Sequence, residues 1–316
     1  MGGRRIGVIA ACLTFAWLLY EQLSPVEAHG GQGRLPVAVD ESSGLVASLT
    51  NPGILWTHND SGAQPVIYAI TLDGRLKGVF TVEGVGAEDW EAVTTDLNGH
   101  LYVGDFGNNR NERRNLVVYR VAEPRVSAAN TAVVHGSVDA HQAIPFHFPE
   151  QTAFPQPNRI NFDAEALFWA PHPETGEGTL YVLTKHRSDT KTSLYRFDDL
   201  SGPQQRGLSL VGQFDVGGDP RNFGGQVTGA DISVDGRTLA ILTYHAIFIF
   251  QRPTVGDNYL SSMVNRIPLD QSQTQQTEGI AWLGEKLIIT NEQGRIFVIT
   301  GAQSSEHARV WYEGDF

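Results

Sequence analysis

The chain repeats one short pattern five times in register, and an internal repeat constrains architecture more than any single motif does. Each copy opens on a small residue followed by an aliphatic one, turns, passes through a second aliphatic run and closes on a third run with aromatics. The first runs are Ser43-Gly44-Leu45, Glu91-Ala92-Val93, Glu165-Ala166-Leu167, Ala230-Asp231-Ile232 and Glu278-Gly279-Ile280. The second runs begin at Leu55, Leu101, Leu180, Leu239 and Leu287. The third runs are Val66 to Leu72, Leu116 to Val121, Ser193 to Phe197, Ala246 to Phe250 and Arg295 to Ile299. Outer fourth strands are expected at Leu76 to Val82, Ala143 to Phe148, Leu208 to Val216 and Asn265 to Leu269. Turn signals such as Asn51-Pro52-Gly53 and Asp235-Gly236 separate the runs, and no helical periodicity intervenes.

Short strands repeated in register predict an all-β chain folded as a β-propeller. The count is five blades, with six also compatible, in a single domain over residues 29–316. The aliphatic positions Leu45, Val93, Leu167, Ile232 and Ile280 lie 48, 74, 65 and 48 residues apart. A propeller repeat takes roughly 40–50 residues, so the second and third copies carry insertions. These are placed at Asn108 to Asn115, Ser127 to Gln142 and Pro171 to Gly178. Either Leu35 to Val39 or Arg309 to Tyr312 is available to close the ring.

The segment before the repeats has another purpose. Arg4 and Arg5 precede an apolar run from Ile6 to Tyr20, and Val26 and Ala28 provide the small residues of a cleavage site before His29. This reads as a secretory signal peptide over residues 1–28, since the run is shorter than the ~20 residues of a membrane span. An uncleaved anchor is the alternative and the one route to a membrane. The expected location is secreted or periplasmic. Cys12, the single cysteine, falls in this segment, so the mature chain depends on neither disulfides nor cysteine-ligated metal. A net charge of −12, with no basic run longer than Arg113-Arg114, argues against nucleic acid as a partner.

A propeller converts sequence columns into circles. First strands line the axis and second strands return beside them, so the start of one and the end of the other share a channel mouth. One column there holds Glu91, Glu165 and Glu278, with Ser43 in the first copy, Glu41 two residues earlier, and Gly229 or Ala230 in the fourth, where Asp231 could substitute. A second column holds Asn59, Asp105, Thr184, Thr243 and Asn291, flanked by Asp60, Lys185, His186, His245 and Glu292. Side chains of the second type routinely bond exposed backbone at strand ends. Converging glutamates are costlier, because two carboxylates about 6 Å apart repel by about 1–3 kcal/mol at intermediate dielectric. A hard divalent cation relieves that repulsion, and calcium accepts such oxygen donors. The metal candidates are Glu41, Asn59, Glu91, Asp105, Glu165, Glu278 and Asn291; the candidate proton acceptors are Glu91, Glu165 and His186. The tryptophans, Trp169 and Trp282 among them, are expected to pack between blades, and the Asn-rich stretch from Asp105 to Asn111 to be a loop held by Asn turns.

Glu41-Ser42-Ser43-Gly44-Leu45, Leu55-Trp56-Thr57-His58-Asn59-Asp60-Ser61-Gly62, Tyr102-Val103-Gly104-Asp105 and Thr228-Gly229-Ala230-Asp231-Ile232-Ser233 resemble the blade motifs of exported bacterial propellers. These are similar to the SdiA-regulated and esterase-like-phytase propellers and, more remotely, to the gluconolactonase/paraoxonase group. The resemblance to the lactonase type implies one catalytic calcium held by residues matching Glu41, Glu91, Asn59, Asp105, Glu278 and Asn291. Three functions follow as expectations. The first is an exported, monomeric propeller whose metal-binding mouth takes a small ligand or a protein partner. The second is a calcium-dependent hydrolase of lactones, esters or phosphate esters; the third is a non-catalytic envelope interaction protein. Intact-mass analysis of exported protein should find a chain beginning at His29; a full-length mass would mean an anchor.

Overall fold

The computed structural model describes residues 33–157 and 159–302 and the backbone of 309–310. The expected signal segment 1–28 and residues 311–312 lie outside the described residues. The strands in chain order are β1 (Gly33–Arg34), β2 (Ser42–Ala47), β3 (Leu55–Asn59), β4 (Val66–Ile70) and β5 (Leu76–Glu83). Then come β6 (Trp90–Thr95), β7 (His100–Asp105), β8 (Val117–Ala122), β9 (Val134–His147), β10 (Asp163–Pro171), β11 (Gly178–Lys185) and β12 (Lys191–Arg196). The remainder are β13 (Arg206–Gly207), β14 (Ser209–Asp215), β15 (Val227–Ile232), β16 (Thr238–Thr243), β17 (Ala246–Gln251), β18 (Met263–Pro268), β19 (Thr277–Leu283), β20 (Lys286–Asn291), β21 (Arg295–Thr300) and β22 (Arg309–Val310). Among the described residues no helix is long and apolar enough to cross a membrane.

Four antiparallel groups read off directly: β2-β3-β4-β5, β6-β7-β8-β9, β10-β11-β12-β14 and β15-β16-β17-β18. In the fifth, β19-β20-β21 is completed by both ends of the chain. β1 pairs with the start of β21 (Arg34↔Arg295), and β22 pairs with its end (Thr300↔Arg309). Of the two predicted closing segments only the C-terminal one supplies a strand; the N-terminal strand is Gly33–Arg34, just before the predicted Leu35 to Val39. Leu35 and Val39 instead bury their side chains between the fifth and first groups.

The first strands β2, β6, β10, β15 and β19 contact one another in that order, and β19 returns to β2. This ring is a propeller. One buried cluster fills each junction, and the aromatics concentrate between the second and third groups, where Phe106, Phe146, Phe148, Phe162, Tyr195 and Phe197 meet. Inner strands thus have protein on both faces, so β2 is buried at every position, whereas the outer β14 alternates between half-buried and exposed positions.

Every inner strand is bulged near its start. The register skips one residue at Glu91, Glu165, Thr228 and Glu278, and at Ser43-Gly44 in the first group. The small residue after each bulge has a steric cause. A Cβ on Gly229 would sit 2.6 Å from the Glu278 carbonyl oxygen, and one on Gly279 would sit 2.8 Å from the Leu45 Cβ. Neighbouring inner strands are simply too close for more.

Two sequence expectations are corrected. In the fourth group Thr228-Gly229-Ala230, not Ala230-Asp231-Ile232, matches the other first runs, a shift of two residues. Ala230 fills the slot taken elsewhere by Leu45, Val93, Leu167 or Ile280, and Asp231 lies beyond it. The insertion placed at Ser127 to Gln142 belongs partly to the sheet, since Val134–Asp139 pairs in parallel with Gly78–Glu83 and ties the first group's outer edge to the second. Gly229→Val should cost about 2 kcal/mol or more by overpacking against backbone, read from the urea midpoint of the intact chain.

Candidate metal centre at the channel mouth

The second-column residues lie directly opposite the residue preceding each bulge: Ser42↔Asn59, Trp90↔Asp105, Ala164↔Thr184, Val227↔Thr243 and Thr277↔Asn291. Each serves the strand end. Asn291 receives the Arg295 amide (2.8 Å) and donates to the Thr274 carbonyl (2.8 Å). Thr184 receives the Ser193 amide and Thr243 the Ala246 amide, both at 3.0 Å. Asn59 donates to the Ala38 carbonyl and to Asp40, leaving its own carbonyl oxygen buried without a partner. Asp105 accepts from the Glu88 and Asp89 amides and from Arg113 at 2.8 Å. Its carboxylate is saturated, and its effect is to hold Asp89 in place.

The bulge residues gather at the mouth together with side chains two positions earlier. Asp60, Asp89 and Glu91 each offer an oxygen within 4.8 Å of the other two, and Glu91, Asp163 and Glu165 do the same. Asp89 and Asp163 were absent from the sequence-derived set. Their signal was present: each stands two residues before its column glutamate, as Glu41 stands before Ser43, and alternate strand residues share a face. Glu41 itself is exposed, and its carbonyl accepts the Asp60 amide.

The two carboxylate groups differ in compensation. Asp163 accepts from the Asn108 amide (2.7 Å) and is paired with Arg187 at 2.6 Å. Glu165 lies 3.2 Å from the Lys185 ammonium and 3.6 Å from Arg187. Lys185 also contacts the Tyr244 hydroxyl (3.2 Å), which donates to Glu278 at 2.8 Å. Burial opposes the charge on Lys185, but Glu165 and Glu278 outweigh it and raise its pKa well above the usual range. Glu278, whose second oxygen is buried and unpartnered, is pushed up to about 7 by burial.

Asp60, Asp89 and Glu91 have no such relief. Among the described residues none of the three is in an ion pair, and the Glu91 carboxylate is bonded only by the Ser43 hydroxyl at 3.4 Å. Burial raises Asp60, and burial with Asp60 and Asp163 as neighbours pushes Asp89 up to about 7. Glu91 is raised well above the carboxylate range by burial and then by Glu165 and Asp60.

The Gly107 backbone lies tight against two of these carboxylates. A Cβ on Gly107 would sit 2.2 Å from a Glu91 oxygen and 2.3 Å from an Asp89 oxygen. Calcium–oxygen distances of about 2.3–2.6 Å put opposed ligands about 5 Å apart, so the trio fits around one such ion. Asp89 opens onto a cleft of about 320 Å³ shared with Ser61, Glu88, Asn109 and Arg110. That cleft wall is the loop expected to be held by asparagines. Asn108 receives the Arg113 amide (2.9 Å), and Asn111, at φ 55°, receives the Phe162 amide (2.8 Å).

His186 is not part of the assembly. Its ring nitrogens face Asp189 (2.6 Å) and Ser193 (3.2 Å), and burial lowers its pKa. His58 is buried beside Trp90, with its pKa lowered to about 4 by burial.

No family model matches the chain, and no curated protein matches it. Among solved structures it is similar to a protein from Bacteroides uniformis assigned as a 6-phosphogluconolactonase, with 11% identity over 87% of this chain and 71% of that one and a TM-score of 0.40. A protein assigned as a gluconolactonase is 13% identical over 86% of this chain and 76% of that one, with a TM-score of 0.41. The PQQ-bound aldose sugar dehydrogenase of Streptomyces coelicolor is 10% identical over 87% and 96%, with a TM-score of 0.43. None of these likenesses assigns an activity to this chain.

Carboxyls raised in the fold stabilise it while protonated, a contribution complete below about pH 4 and lost as pH rises through 7. Melting curves in chelator should therefore show the stability of Asp89→Asn relative to wild type rising steadily from pH 4 to pH 8. A difference that does not change with pH would contradict the crowding of the three carboxylates.

Proposed function

We propose that this chain is an exported propeller that holds a divalent cation, calcium in the first instance, at one end of its channel and uses it to bind a small oxygen-bearing ligand. One observation carries the reading: three converging carboxylates, Asp60, Asp89 and Glu91, lack any cationic partner among the described residues, while the adjoining Asp163 and Glu165 have theirs. Asp60, Asp89 and Glu91 would hold the ion. When bound, the ion supplies neutralising charge and a Lewis-acidic position for a ligand oxygen arriving through the cleft. Arg110 and Asn109 on the cleft wall are placed to contact the rest of that ligand. Asp105 and Asn108 keep the two walls in register, the first through the Asp89 amide and the second through the Phe162 carbonyl.

Hydrolysis of a lactone, ester or phosphate ester is a second reading, favoured by Glu165. Its oxygen lies within 4.8 Å of the Glu91 oxygen, and the Lys185 ammonium lies 3.2 Å from Glu165. A carboxylate so placed can take a proton from an attacking water while the lysine steadies the charge.

Calcium at a hundredfold excess over its Kd should stabilise the protein by about 2.7 kcal/mol, with magnesium giving less. Glu91→Gln and Gly107→Ala should each fold and lose the response, the latter because only flexible carboxylate ends must move aside. If neither calcium nor chelator shifts the melting temperature of wild type, the cation reading fails. Turnover of lactones, aryl esters or phytate that disappears with Glu165→Gln while calcium still stabilises the variant would select the hydrolase.

A further inference from the structure

The longest basic run in the chain, Arg113-Arg114, is used only in part by the acidic mouth. Arg113 sets its guanidinium against Asp105 (2.8 Å) and Glu88 (3.2 Å) and donates to the Gly107 carbonyl. Arg114 takes another course, with its guanidinium carbon 3.8 Å from the centroid of the Phe154 ring. It is exposed, and its backbone carbonyl accepts from Gln205. Among the described residues its guanidinium has neither an ion pair nor a hydrogen bond.

Arg114 borders a cleft of about 220 Å³ that Arg113, His147, Gln151, Phe154 and Gln205 help to line. Side chain to backbone bonds fix its frame. Gln205 donates to the Arg114 carbonyl (2.9 Å) and the Phe146 carbonyl (3.0 Å), and the buried Gln151 donates to the Asn111 carbonyl (2.8 Å). Among the described residues no carboxylate lines this cleft. The cleft beside Asp89 holds Glu88 and Glu112 as well, and the one that Arg120 lines holds Glu177, Asp198 and Asp199. In a chain of net charge −12, two guanidiniums without an acid are a local reversal of sign.

We propose that this cleft binds the carboxylate of a small organic monoanion, both of its oxygens on the Arg114 guanidinium. A guanidinium fork matches the two oxygens of a carboxylate, and stacking on an aromatic ring holds the fork in one plane with its N–H edge open. Charge sets the class. Arg113 is already matched by Asp105 and Glu88, so one free positive charge remains, and it balances one negative charge. Volume sets the size: a cavity of ~150 Å³ takes a benzene ring, so about 220 Å³ takes a ring that carries an acid group. The site stands apart from the cation reading, because none of Asp60, Asp89 and Glu91 lines it.

The probes are benzoate and its neutral isostere benzamide, each titrated into the ¹⁵N-labelled chain in chelator at fixed ionic strength. Benzoate should shift the Arg114 Nε–H and Gln205 side-chain amide resonances saturably. Benzamide should bind about tenfold more weakly, the loss of a charge-assisted hydrogen bond. Arg114→Gln should bring the two probes to equal affinity. Arg114→Lys keeps the charge without the fork and should still lose most of the preference. Phe154→Leu removes the stacking face and should weaken benzoate about two- to fivefold. The two Arg114 variants should melt close to wild type, because the side chain is exposed. No saturable shift, equal binding of both probes to wild type, an unchanged preference in Arg114→Gln, or tighter binding of inorganic phosphate than of benzoate would each overturn the proposal. So would a response that needs calcium and is confined to Asp89 and its neighbours.

Discussion

Five inner strands share one axis, and the crowding there governs the rest of the molecule. Each strand is bulged by one residue near its start, and the next residue must be small because the neighbouring strand's backbone lies against it. A bulge re-aims the side chain it displaces. Because the bulges recur in register around a ring, they turn four scattered residues (Glu91, Glu165, Thr228 and Glu278) into a circle at one mouth. Serine and threonine make the circle cohesive: Ser43 donates to the Glu91 carbonyl and Thr228 to the Thr277 carbonyl, each reaching the next group.

Charge is distributed unevenly around that circle. On the side of the third and fifth groups, Lys185 and Arg187 pair with Glu165 and Asp163, and Tyr244 links Lys185 to one oxygen of Glu278. On the side of the first and second groups, Asp60, Asp89 and Glu91 face one another with no ion pair among the described residues. Coulomb repulsion in a buried setting is far costlier than at the surface, and it is concentrated on this side of the ring. The other end of the same strands has a mixed lining, with Val46, Trp169 and Trp282 beside Thr94, Asp231 and Ser233.

Much of this was legible beforehand. The strand runs, the axial placement of Glu91, Glu165 and Glu278 and the asparagine-held loop follow from periodicity and turn chemistry, which act locally. The fourth group's register was misread because Ala230 is smaller than its counterparts and Asp231 mimics an acidic column residue. Asp89 and Asp163 were missed although the same two-residue offset had picked out Glu41. The second column looked like a ligand ring, but Asp105 and Asn291 spend their oxygens on neighbouring backbone and Arg113.

By itself the sequence determined the repeat, the all-β propeller and the clustering of acids at the strand starts, since strand alternation and turn residues are written within each short segment. Which carboxylates have cations was decided only in the tertiary structure. Lys185 meets Glu165 within one group, but Arg187 reaches back across its own strand pair to Asp163, and Tyr244 joins Glu278 from the neighbouring group. Such pairings depend on distances of a few ångströms between residues far apart in the chain, and those distances exist only once the ring has closed.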